Sequence, residues 1–109
     1  MAIDLNVLAQ TALNQGLEAA RGHAEDLKTY LKARATIMAT GVRQIADDRL
    51  ANLIDDEDVR FAFEEIRKAE RGVLLVAEVT AKAAAQDALN AMFAVAAMAI
   101  NGAVGIPIL

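Results

Sequence analysis

Residues Ala88 to Leu109, ALNAMFAVAAMAINGAVGIPIL, contain no charged side chain, whereas the chain before them mixes charged and apolar residues throughout. This segment constrains the fold more than any other feature. A chain of 109 residues has little interior of its own. The segment is therefore expected to be covered by a membrane, by further copies of the chain or by another protein.

The spacing of apolar residues upstream is helical. Asp4 is placed to cap a first helix, with Ile3 and Leu8 at the positions of a hydrophobic staple. A stripe then runs Leu13, Leu17, Ala20, Ala24, Leu27, Leu31, Ala35, Met38, Val42, Ala46, Leu50 and Leu53. Its mean step is about 3.6 residues, the period of a straight α-helix. Gly16, Gly22 and Gly41 weaken it, by roughly 1 kcal/mol each relative to alanine. The Arg21-Gly22-His23 stretch is the expected place for a bend or break.

A second helix start is written more strongly. Asp55 as N-cap puts Ile54 and Val59 at staple positions, with Asp56, Glu57 and Asp58 in the first turn, where the helix dipole favours negative charge. The stripe continues through Val59, Phe63, Ile66, Ala69, Val73, Ala77, Ala81, Ala84, Ala88, Ala91, Val95 and Ala99. Asn101-Gly102 reads as the helix end, and Pro107 bars the tail from regular helix.

The expected fold is all-α and a single domain. It has two long helices, about 4–54 and 56–101, in an antiparallel hairpin with a turn at about 54–56 and an apolar, non-helical tail over 102–109. Each helix would be roughly 75 Å long. If helix one breaks near Gly22 or Gly41, the alternative is a bundle of three or four helices. Phe61, Phe63 and Ile66 are expected to pack on the Val42–Leu53 part of helix one.

Candidate chemistry is sparse. Cysteine and serine are absent, and the single histidine, His23, has no glutamate three residues before it. That excludes thiolate metal sites and the Glu-x-x-His pairing of bundle di-iron centres. Asp55 to Asp58 lack the alternating ligands and central glycine of a calcium loop and serve better as helix-start residues. No threonine, nor Tyr30, has a base at helical contact spacing, and the glycines form no phosphate-binding pattern. Met38, Met92 and Met98 fall among apolar stripe positions and read as core. The expectation is a non-enzyme with no catalytic residues, no cofactor and no metal.

Charge narrows the partners. The net charge is −4, which gives no general attraction to nucleic acid. The basic stretch Lys28, Lys32, Arg34 and Arg43 lacks interleaved aromatics, so specific nucleic-acid recognition is not expected. The stretch Asp47 to Asp58 is acidic, and the two opposed blocks can set a register between identical subunits. No basic region precedes an apolar run at the N-terminus, so no secretory signal is read there; the sequence leaves the localisation unknown, with a virion or other extracellular assembly and the cytoplasm both open.

The functional expectation is a self-associating structural subunit of a larger helical assembly, of the virion, secretion-apparatus or filament kind. Its partners are further copies of the chain and other assembly proteins. The interface is expected to use Val73, Val76, Leu89, Met92, Phe93, Val95, Ala96, Ile100, Val104, Ile106, Ile108 and Leu109. The alternative is a membrane-inserting or pore-forming protein, such as a phage ejection component, that places 88–109 in the bilayer. Ala88–Ile100 alone spans roughly 20 Å as a helix, short of the ~30 Å hydrocarbon core.

Overall fold

A computed structural model describes residues 2–109. The chain is all-α, with no strand among the described residues. Both long helices of the sequence reading are interrupted. Among the described residues four α-helices result: α1 (Leu5–Ala19), α2 (Ala24–Leu50), α3 (Asp56–Val76) and α4 (Lys82–Val104).

Two starts are fixed by side-chain caps. Asp4 accepts a hydrogen bond from the Val7 amide at 3.0 Å, and Ile3 and Leu8 are both buried. Asp55 accepts from the Asp58 amide while Asp58 accepts from the Asp55 amide, a reciprocal capping box. Each arrangement satisfies amides that a helix start leaves unpaired.

The breaks have different causes. Between α1 and α2 the chain makes one 3-10 turn, Arg21–His23, and the left-handed residue is Arg21 (φ 53°), not Gly22. Gly41 does not interrupt α2. Between α3 and α4, Ala77 is extended and Ala81 is left-handed (φ 55°). Alanine periodicity runs through this second break without a signal, because alanine favours helix and no proline or glycine marks the place. Helix α4 then continues past Asn101-Gly102 to Val104, where Gly105 (φ 87°) ends it.

Each helix runs opposite to the one before it. Arg34 meets Glu70 and Arg49 meets Asp56 across α2 and α3; Lys82 reaches the Leu75 carbonyl, and Phe63 meets Phe93, across α3 and α4. Helices α1, α2 and α4 form the central core, and α3 packs on α2 and α4 from outside. The molecule measures 41 × 24 × 19 Å, far from a 75 Å hairpin.

The interior is filled by Leu27, Leu31, Met38 and Val42 of α2 with Leu89, Met92 and Ile100 of α4, all 1% exposed or less. Burying an aliphatic side chain of this size contributes about 1.5–3 kcal/mol. Gly16 sits where α1 crosses α4: a Cβ there would lie 2.8 Å from the Met92 sulfur and 3.4 Å from the Ala88 carbonyl. The close approach of these two helices needs that missing side chain.

The tail folds back and is clipped down. The Asn101 side-chain oxygen accepts from the amides of Ile108 (3.0 Å) and Leu109 (2.9 Å), and its amide group donates to the Leu109 carbonyl. Arg60 donates to the Ile108 carbonyl at 3.1 Å, and the Ile108 side chain is buried. The premise that a chain of this length has no interior for its apolar end is thus corrected. Four helices enclose a core that two could not, and α4 with Ile108 occupies it.

Candidate interaction surface

With α4 inside, the question becomes which apolar residues remain outside. Met92, Ala96 and Ile100 face the core. Ala94, Met98 and Gly102 each come two residues later, about 200° round the helix, and are exposed. Helix α1 shows the same division. Leu8, Ala12 and Leu13 are buried, while Val7, Thr11 and Gln15 are exposed.

These outward faces adjoin because α1 packs beside α4. Together they form a shallow groove of about 730 Å³, walled on one side by Val7, Thr11 and Gln15 and on the other by Ala91, Ala94, Val95, Met98 and Gly102. Ile3 and Ala103 close one end, where Asp4 is the single charged residue in the lining. Val7 and Met98 stand at 62% and 74% exposure. Small residues along α4 let another backbone approach closely, and the groove lies in the size range of sites that bind other molecules.

The structure distributes the twelve residues read from the sequence as an interface. Leu89, Met92, Phe93, Ala96, Ile100 and Ile108 lie in the chain's own core. Val73, Val95 and Val104 are half-buried, and Val95 lines the groove. Val76, Ile106 and Leu109 are exposed. Val76 is the last residue of α3, beside the equally exposed Leu75, at the opposite end of the molecule from the tail.

Three further expectations are corrected. Met98 is not core but the most prominent apolar residue of the groove. Phe61 is 68% exposed rather than packed on α2. Phe63 is buried but meets Phe93 of α4 edge-on, with ring centres 5.9 Å apart, and Arg67 lies over the same ring. Ile66 does reach α2, at Gly41, where a Cβ would come within 2.9 Å of its terminal methyl. The groove residues Ala94 and Met98 were not marked in the sequence because Asn90 is the one polar residue between Ala88 and Ile100, a weak cue to the outward face of α4. With so few polar residues, apolar periodicity only weakly selects the core face of such a helix.

The basic block does not act as a unit. Arg34 is mostly buried and makes a two-pronged bond to Glu70, both contacts at 2.6 Å. Arg43 faces Asp47 at 3.6 Å on the surface. Lys28 and Lys32 remain exposed. The Tyr30 hydroxyl is buried near the Arg34–Glu70 pair without a hydrogen-bond partner. Burial raises the Tyr30 pKa above its ordinary value, Arg34 opposes that rise, and Glu70 adds to it. Among the described residues no group of three histidine, cysteine or acidic side chains is placed to hold a metal. His23 is exposed at the start of α2, with no side-chain capping bond.

Comparison with known protein families, with curated proteins and with solved structures finds no match.

Proposed function

We propose that this chain is a non-enzymatic, self-associating subunit of a larger helical assembly, and that a second copy covers the groove between α1 and α4. The observation that carries this reading is the nearly uncharged lining of that groove beside the exposed Val7 and Met98. The chain carries a net charge of −4, so two copies repel wherever acidic faces meet. The α1/α4 face avoids this. A two-fold axis through it sets the Met98 ridge of each copy into the small-residue floor of the other.

Membrane insertion is the second reading, favoured by one observation. Helix α4 is long and apolar enough to cross a bilayer, with a mean hydropathy of 1.4 over its best window. In the fold that helix holds Leu89, Met92, Ala96 and Ile100 inside the core. Insertion would have to strip α1, α2 and α3 from it, and core helices of water-soluble bundles share this composition.

The test is molar mass by light scattering after size exclusion, with flotation against anionic liposomes on the same sample. The proposal expects a dimer or larger species that ignores lipid, reduced to monomer by Ala94→Glu with helicity retained. Ala94 is exposed in the groove, so the new charge opposes association without entering the core. A wild-type monomer, or an Ala94→Glu protein of unchanged mass, contradicts the proposal. Flotation would turn the reading toward the membrane.

A further inference from the structure

A second groove lies between the C-terminal half of α2 and the N-terminal half of α3, on a different face from the first. It has a volume of about 660 Å³. Its apolar surface is made by Ile45, Ile54, Phe61 and Ile66, and its acidic rim by Asp48, Asp58 and Glu65, with no cationic residue in the lining. Phe61, 68% exposed, has the body of a core residue and no cover.

The rim charges are mostly not neutralised. Asp48 accepts a hydrogen bond from Gln44, which carries no charge, and Asp58 is engaged with backbone in the capping box. Glu65 has only Lys68, at 3.7 Å with both side chains more than half exposed. Such a contact contributes about 0–1 kcal/mol. Gly41 permits the arrangement, since Ile66 of α3 occupies the space a side chain there would take.

From this charge pattern we infer that the α2/α3 groove binds a cationic amphipathic helix of a different protein. An apolar floor ringed by carboxylates complements a helix with apolar residues on one face and lysine or arginine at its edges. Gly41 to Asp48 covers about two helical turns, enough for apolar anchors at i and i+3 or i+4. The exposed cations of the chain's own helices lie on α2 (Lys28, Lys32, Arg43), α3 (Arg60, Lys68, Arg71) and α4 (Lys82), whose main apolar faces are already turned into the core. This site is independent of the self-association groove.

The probe is a fluorescently labelled peptide of about fourteen residues, roughly four turns, built from leucine and lysine as an amphipathic helix. A leucine–glutamate peptide of the same pattern is the control. Fluorescence anisotropy with the full chain should show saturable one-to-one binding of the lysine peptide only, weakening as salt rises from about 50 to 300 mM. Phe61→Ala should weaken it on the order of tenfold, as loss of an aromatic anchor does. Asp48→Asn with Glu65→Gln should weaken it comparably. Glu25→Gln with Asp26→Asn, an equal change in charge at the start of α2, should leave it within about twofold. Phe61, Glu65, Glu25 and Asp26 are exposed and Asp48 is half-buried at the rim, so circular dichroism should be unchanged. Equal weakening by both double variants, indifference to Phe61→Ala, or the absence of saturation would overturn the inference.

Discussion

Single residues carry strain and waste that can be measured one at a time. Arg21 holds a left-handed φ of 53° where glycine would sit without penalty. Arg21→Gly should therefore raise thermal stability, by about 0.5–1 kcal/mol in chemical denaturation. Gly72 lies inside α3 with open space where a Cβ would go. Gly72→Ala should add about 1 kcal/mol, whereas Gly16→Ala should lose stability because the buried Met92 stands in the way. The Tyr30 hydroxyl is buried without a partner, so Tyr30→Phe should cost nothing at neutral pH. Its pKa is raised in the folded state, chiefly by burial. Its contribution is thus complete below the ordinary value of 10.0 and lost as pH rises above it. Phenylalanine should remove that alkaline loss. Only the place of the first break was legible in the sequence. The stretch at 21–23 was marked by Gly22, but which residue turns left-handed depends on the packing of α1 against α2.

At the scale of elements, legibility followed side-chain chemistry. Both capped starts, Asp4 and Asp55, stood in the sequence because a cap needs a particular residue at a particular offset. The break at Ala77–Ala81 did not, because alanine neither caps nor breaks. The Asp55 carboxyl is held below its ordinary value of 3.8, first by the Asp58 amide. Its contribution is present above that value and lost as pH falls through the lower folded one. Asp55→Asn, which still accepts the amide bond, should flatten that acid loss when unfolding is followed below about pH 4. Helix α3 carries one buried charge. Glu70 is 3% exposed and its charge is met by Arg34. Glu70→Gln should destabilise by about 3 kcal/mol, since Arg34 is left buried and unmatched. Replacing both with Arg34→Met and Glu70→Leu should recover most of that loss in urea unfolding. Asn101 clips the tail with three hydrogen bonds. Asn101→Ala should release it and cost about 1–3 kcal/mol.

For the whole molecule, the apolar end shapes the fold before it shapes any assembly. Breaking each long helix once converts two thin faces into an enclosed core, to which α4 contributes Ala85, Ala88, Leu89, Met92, Phe93, Ala96 and Ile100. What stays outside is the far side of α4 and its neighbour α1, an apolar strip that the fold leaves uncovered. The uncharged run 88–109 led to the expectation that it is covered, but a helix with so few polar residues says little about which side faces its own chain. That ambiguity placed half of the expected interface inside the core and left Val7, Ala94 and Met98 unmarked. Burial also decides which substitutions test association. Ala96 is fully buried, so Ala96→Glu should unfold the chain, with loss of cooperative melting, rather than merely separate subunits. Ala94→Glu should separate subunits and leave melting intact.

The most direct measurement is therefore the molar mass of wild-type and Ala94→Glu protein, side by side, by light scattering after size exclusion. The account predicts a wild-type mass at least twice the monomer's 11.6 kDa and an Ala94→Glu mass equal to it, with matching helical spectra. A wild-type mass of one chain, or two variants of equal mass, would contradict it.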